Sequence, residues 1–304
     1  MRVAFDARGV PPSTCNKVFV WNVQTRMIKR VSGPNTCSAD ISPAGGVEVA
    51  VAGRQIAWIV SGASLGQSHE SLRTASLPRP SERRLAAASG AGLDTDGNPG
   101  DWIGHLVGSG SLIVVNRWTT DAAGAVTRSE LDVVGTKSLR RIVSGPDALF
   151  ASSVDSGRIA VLRTDGSVGI YNGSGRLLRE VRPSSAKEVA LQGDSLVVLT
   201  KTGTLEIYNS RSGAYVRSWP VSVWAAGVDV YGGVAVYVEV GQAFPVDPDK
   251  DHVLRLKSGK DRVLVINAFR IEIGSAGVVY EKPFGKHGTP LVFVPMRRVL
   301  ANAH

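Results

Sequence analysis

The chain has 304 residues, 43% of them hydrophobic, with 35 Lys and Arg against 26 Asp and Glu, a formal charge of +9. That hydrophobic fraction is enough to build a core and excludes a disordered chain. No apolar run approaches the ~20 residues of a membrane-spanning helix, and Met1-Arg2 runs into Val3-Ala4-Phe5 without the pattern of a signal peptide. The positive balance raises nucleic acid, an anionic membrane or an acidic polymer as partners, and the placement of the charge has to decide between them.

Short β-branched runs separated by Gly turns occur throughout and predict antiparallel strands. Within one repeat the strands are termed a, b, c and d. The first repeat supplies b, c and d at Arg2–Gly9, Lys17–Val23 and Met27–Val31, with no a strand before them. Six further b strands follow tight hairpins at Ala52-Gly53, Ser109-Gly110, Ser156-Gly157, Gly193-Asp194, Gly232-Gly233 and Ala276-Gly277. The clearest copies are Arg158–Val181 and Ser195–Ser218, each a strand, a Gly turn, a strand ending in Ile-Tyr-Asn, a second Gly turn and a strand. Repeats are expected at about 1–36, 39–90, 101–146, 147–184, 186–222, 224–266 and 267–304, in a single domain over 1–304. No helical periodicity is evident. The natural chain is expected to begin upstream, with a secretion signal and the absent strand; the alternative is that Leu291–Leu300, which no turn divides, covers two strand positions.

Ile207-Tyr208-Asn209-Ser210-Arg211-Ser212-Gly213 and Val20-Trp21-Asn22-Val23-Gln24-Thr25 resemble the third strand and turn of WD40 or quinoprotein-like repeats. Ile56-Ala57-Trp58-Ile59-Val60 with Leu72–Leu77 and Arg83-Arg84-Leu85 resembles the repeat of TolB-type propellers. The Gly-His and Trp-Asp pairs of strict WD40 repeats are absent. The resemblance implies an all-β propeller of about seven four-stranded blades and no particular activity, because propellers host many functions.

In such a blade the b–c and d–a connections share one face. The stretches Val10–Asn16, Ser61–Ser71, Ala88–Trp102, Trp118–Ser129, Gly241–His252 and Lys282–Pro290 read as long loops there, whereas the a–b turns are tight. This face is the expected interaction surface, with Trp102, Trp118, Phe244 and Phe284 as aromatic anchors. Cys15 and Cys37 fall on it in polar loop sequence and are expected to form a disulfide, which points to a secreted or cell-surface protein rather than a cytoplasmic one. Asp94, Asp96, Asn98 and Asp101 alternate oxygen ligands around a Gly, a pattern suited to calcium, the one candidate cofactor; the same residue types also favour plain turns.

Inner strands place Glu48, His105, Glu188 and Arg270 at matching positions. They are candidates for a polar or metal site at a channel mouth, or simply for solvation of a channel. The basic residues fall on outer d strands, Lys29-Arg30, Arg83-Arg84, Arg140-Arg141, Arg217 and Arg297-Arg298 among them. Charge there blocks edge-to-edge pairing. A belt of this kind lacks the interleaved aromatics of a nucleic-acid groove. The resulting expectation is a monomeric, non-enzymatic binding propeller that takes a protein or glycan, with no nucleic acid and no membrane span. The alternative is a hydrolase- or lyase-type enzyme acting at the channel mouth.

Overall fold

The computed structural model describes residues 2–8, 16–33, 48–64, 66–91, 98–146, 149–242, 248–266, 271–281 and 291–301. Two compact units divide the chain, one of residues 2–164 with 171–177, the other of 165–170 with 178–304.

The first unit opens with a three-stranded sheet, β1 (Arg2–Arg8), β2 (Asn16–Asn22) and β3 (Met27–Arg30), in that order. An eight-stranded sheet follows, in which β4 (Val49–Ala52), β5 (Gln55–Ser64), β6 (Gln67–Ser76), β7 (Arg83–Ala91), β8 (Gly100–Ser109), β9 (Leu112–Thr120), β10 (Val126–Val134) and β11 (Leu139–Gly145) lie in chain order. The next sheet is β12 (Leu149–Asp155), β13 (Arg158–Arg163), β14 (Val168–Asn172) and β15 (Leu177–Val181), of which residues 168–170 and 178–181 belong to the second unit.

In the second unit, β16 (Ala186–Gln192), β17 (Ser195–Thr200), β18 (Thr204–Asn209) and β19 (Tyr215–Pro220) form one sheet. A second holds β20 (Ala225–Tyr231), β21 (Val234–Glu239), β22 (Lys250–Arg255) and β23 (Asp261–Ile266). A third holds β24 (Ile271–Gly274), β25 (Gly277–Glu281) and β26 (Leu291–Pro295), after which comes helix α1 (Met296–Ala301). Counting the eight-stranded sheet as two groups of four gives seven antiparallel groups along the described chain.

The b strands are buried along nearly their whole length, as in β17 and β21, because the sheets stack face to face and cover both sides. Each core lies between successive groups. Val197, Leu199, Leu205 and Ile207 pack on Ala235, Tyr237 and Leu254, and Val236, Val238 and Val253 pack on Ile271, Ile273, Val278 and Tyr280. The recurring Asn that ends a c strand builds the c–d turn. Asn22, Asn172 and Asn209 each accept two backbone N–H bonds on Oδ1 from residues two to four positions ahead, an Asx turn.

The outer-strand bases have a role beyond guarding the edges. Arg140 donates to Gly173 O at 2.8 Å, Arg179 to Arg211 O at 2.6 Å and Arg217 to Lys257 O at 2.7 Å, in each case a carbonyl in the c–d turn of the following group. Lys29 reaches Pro78 O in the same manner, and Arg262 reaches Val299 O in the C-terminal helix. Much of the positive belt therefore ties one group to the next.

Two expectations are corrected. Ser61–Ser71 and Trp118–Ser129 are not simple long loops. β5 and β6 pair from Gln55↔Ser76 out to Ser64↔Gln67, and β9 and β10 pair out to Thr120↔Val126. Ser and Gly give these stretches the composition of turns, yet Ser68 and Glu70 are buried while Gln67 and His69 are exposed, the alternation of a strand. β7 likewise runs on to Ala91 and meets β8 through Gly90↔Gly100. Both glycines are required at that crossing, since a Cβ on Gly90 would lie 2.3 Å from the Trp102 ring and one on Gly100 would lie 2.3 Å from Gly90 Cα. The second correction is that Leu291–Leu300 does not span two strands. After Pro295 the chain turns helical, because Met296, Arg297, Arg298, Leu300 and Ala301 are good helix formers, and the helix buries Val299 in the last core.

Candidate functional site

The ionisable residues of the inner strands prove to be engaged. β8 carries a bulge between Gly104 and Val107, which frees the Leu106 N–H from the ladder, and Glu48 Oε2 accepts it at 2.7 Å. In the second unit Glu188 does the same for Val228 N at 3.0 Å, in a bulge between Ala226 and Asp229. Asp229 in turn accepts from Ile273 N at 3.0 Å. These acids latch one inner strand to the next. His105 stands beside Glu48 at φ 52° with its ring 4.8 Å from Phe150 and 5.8 Å from Trp118. Desolvation by these neighbours lowers its pKa, and the Glu48 charge opposes that. Arg270 lies outside the described residues.

A second acid holds β8 further along. Glu70 Oε2 accepts from Ile103 N at 2.6 Å. Burial pushes its pKa up to about 7, the Ile103 N–H opposes the rise and the Glu48 charge adds to it.

Beyond these latches, the extended sheet forms a cleft of about 200 Å³ between β7, β8, β9, β10 and β11. Its polar lining is Asp101, Arg117, Arg128, Glu130 and Arg141, and Ala87 and Ala88 form an apolar side. Glu130 is only 4% exposed and sits at the centre of the arginines. Arg117 meets its Oε2 at 2.6 Å and Arg141 its Oε1 at 2.6 Å, and Arg128 also pairs with Oε1. Arg117 Nε bonds the fully buried Asp132 at 2.5 Å. Burial works against the Arg117 charge, but Asp132 and Glu130 outweigh it and raise its pKa. Asp101 Oδ1 accepts the Thr119 hydroxyl at 2.7 Å. The arrangement is a preorganised set of guanidinium forks beside an exposed carboxylate, suited to holding a polar ligand; the Trp118 ring turns to the other face of the sheet, against His105 and over Gly104.

Three residues singled out from the sequence meet here: Asp101, Trp102 and Trp118. Trp102 is only 1% exposed, with its ring over Gly90 and Nε1 donating to Thr120 at 2.9 Å, so it supports the cleft from below and cannot act as an exposed anchor. Trp118 is half-buried, and its position borders the cleft while its ring faces away. Asn98 O accepts from Thr120 Oγ1. Asp94, Asp96, Phe244, Phe284, Cys15 and Cys37 lie outside the described residues. Among the described residues no three His, Cys, Asp or Glu side chains are grouped to hold a metal, and no helix is long and apolar enough to cross a membrane.

The arginine set was missed in the sequence although a signal for it exists. Arg128, Glu130 and Asp132 alternate along a c strand, which puts three charges on one face of a strand that is otherwise buried.

Compared with solved structures, the chain is similar to a protein from Lactobacillus plantarum, with TM-score 0.58 and 9% identity over 98% of this chain and 93% of that one. It is also similar to Sqt1 of Saccharomyces cerevisiae, with TM-score 0.52 and 9% identity over 92% and 78%. A third is the WD40 beta propeller domain of Doa1, with TM-score 0.52 and 9% identity over 90% and 85%. No family model and no curated protein matches the sequence. At such identities the likeness shows the fold alone, an all-β fold of the β-propeller kind.

Proposed function

We propose that the chain is a non-enzymatic binding propeller, one domain over 1–304, secreted or held at the cell surface, which takes a protein or glycan on the face where the b–c and d–a connections emerge. The observation that carries this reading is the arginine cleft at that end of the extended sheet. It is apolar along Ala87 and Ala88 and polar along the arginines, and its donors are fixed by buried acids before any ligand arrives. An enzyme at the inner strands would need its carboxylates available, whereas Glu48 and Glu188 each spend an oxygen on a backbone N–H. The location rests on Cys15 and Cys37, for which thiol titration without reductant is expected to find no free thiol; two free thiols would remove the oxidising compartment. For the function, arrays of glycans and of extracellular proteins are probed with the full chain and with an Arg128→Ala/Arg141→Ala variant. A ligand retained by the wild type and lost by the variant supports the reading. A ligand that both retain, and that is lost instead when Val223 and Trp224 are replaced, overturns the choice of the cleft; those two side chains are 54% and 50% exposed in the second unit.

A further inference from the structure

We infer that the cleft takes a carboxylate-bearing sugar, a uronic acid residue of an acidic glycan; this rests on the proposed binding role and names its ligand. Three observations point to it. First, Arg128 and Arg141 each commit a terminal nitrogen to Glu130, yet their side chains stay 55% and 46% exposed. A guanidinium has five N–H donors, so both forks present further donors to the cleft, in the geometry that accepts a carboxylate side-on. Glu130 holds them in place, so a ligand does not have to order two flexible arginines.

Second, the charge around the cleft balances. Arg117, Arg128 and Arg141 face Asp101, Glu130 and Asp132, which is 3 − 3 = 0. Such a site does not attract a polyanion through its field. It selects one anionic group at a fixed place, with acceptors alongside. Asp101 is exposed beside the Thr119 hydroxyl that it accepts, an acceptor for the hydroxyls a sugar carries next to its carboxylate. An acidic peptide side chain brings the carboxylate without those hydroxyls and offers Asp101 only the backbone N–H groups of the peptide.

Third, Ala87 and Ala88 give the same cleft an apolar side, while the Trp118 indole turns to the other face of the sheet, against His105 and over Gly104. The alanine wall receives the apolar face of a pyranose ring, and the cleft's volume of about 200 Å³ suits one such ring rather than an extended strand of polymer.

The test is calorimetric titration of the full chain at moderate salt with four probes: an unsulfated hyaluronan tetrasaccharide, neutral chitotetraose, a heparin tetrasaccharide and a Glu-rich octapeptide. The expected result is that hyaluronan binds at least tenfold tighter than the neutral sugar or the peptide. Asp101→Ala, which removes the acceptor for the sugar hydroxyls, and Arg128→Lys/Arg141→Lys, which keeps the charge but loses the fork, are then expected to weaken it about tenfold. Both variants keep a similar melting temperature, so a folding defect is visible separately. Arg83→Ala/Arg84→Ala, on the outer strand away from the cleft, leaves binding unchanged. The inference is overturned if the neutral sugar binds equally well, or if heparin binds tightest and depends on Arg83 and Arg84. Peptide binding that is lost in the cleft variants also overturns it, while leaving the proposed binding face standing. No response of the cleft to any probe, with a ligand found elsewhere by the arrays, sinks both.

Discussion

The extended sheet of residues 49–145 and the regular sheets of residues 186–266 are built from the same repeat and put to different ends. In the regular region the strands are six or seven residues long, the β18–β19 turn is capped by Asn209, and polar side chains are engaged both within a group, as Tyr208 with Glu206, and between groups, as Arg217 with the Lys257 carbonyl. In the extended region β5, β6 and β8 reach ten residues, and the added length carries charges that the repeat does not require. Glu206 on β18 accepts only hydroxyls, from Ser184 and Tyr208, whereas Glu130 on β10 gathers three arginines. Burying a carboxylate among guanidinium groups is a costly way to stabilise a sheet, since well-packed apolar side chains do as well or better. Its presence in one region and not the other marks the extended sheet as the one shaped for a ligand.

The largest expected effect comes from breaking that contrast directly. Glu130→Ala strips the arginine set of its central partner and is expected to cost about 3 kcal/mol in urea denaturation, the low end for a broken buried pair. Glu206→Ala removes two hydroxyl contacts and is expected to cost about 1 kcal/mol. Equal costs would erase the distinction.

A pH titration of stability sharpens it next. Glu70 rises on folding from the ordinary carboxylate value to about 7, and so do Asp229 and Asp251, each chiefly through burial. A raised folded pKa means that the native state binds the proton more tightly. Stability is then highest near pH 4.5 and falls as pH climbs towards 7. His252, also raised, bonded to Asp261 at 3.0 Å and Glu239 at 3.1 Å, moves stability in the same direction, because its charged form is favoured in the fold. Melting temperature is therefore expected to drop between pH 5 and pH 7.5. Glu70→Gln is expected to remove up to about 3 kcal/mol of that dependence, at 1.36 kcal/mol per pKa unit. A flat profile in the wild type, or one unchanged by Glu70→Gln, contradicts the buried latch.

Gly90→Ala is the third. A methyl cannot fit 2.3 Å from the Trp102 ring, so β7 and β8 must part or the indole must move, at about 2 kcal/mol and with a changed near-ultraviolet Trp signal. Gly213→Ala in the regular region meets nothing nearer than 3.6 Å and carries only the penalty of its φ of +78°, about 1 kcal/mol. The smallest effect belongs to the rim. Arg179→Ala and Arg217→Ala each lose one exposed bond to a turn carbonyl, about 0.5 kcal/mol, and are expected to leave ligand binding untouched.

The regular region was legible in the sequence because its turns announce themselves. Ile-Tyr-Asn with a following Gly fixes strand, turn and register in a few residues. The extended region was misread at its ends, where Ser, Gly and Ala fill Ser61–Ser71 and resemble loop, and where pairing to a neighbouring strand, which no local signal carries, decides the outcome. The inner acids were located by register, but their engagement by bulged N–H groups depends on the strand alongside. The basic belt was attributed to edge protection, and the carbonyls it binds lie some thirty to fifty positions away in the chain. The cleft was half visible. Asp101, Trp102 and Trp118 stood out by type and Arg141 only as an outer-strand base, while Arg117 and Arg128 sat on β9 and β10, where the alternating charge of Arg128, Glu130 and Asp132 was the available clue.

Hydrogen–deuterium exchange on the full chain, with and without the hyaluronan tetrasaccharide, tests the central claim most directly. The account predicts slowed exchange at 100–103, 117–119 and 128–130, with no change across 195–220. Protection confined to 222–225 and 239–242 in the second unit, with the cleft unaffected, would contradict it.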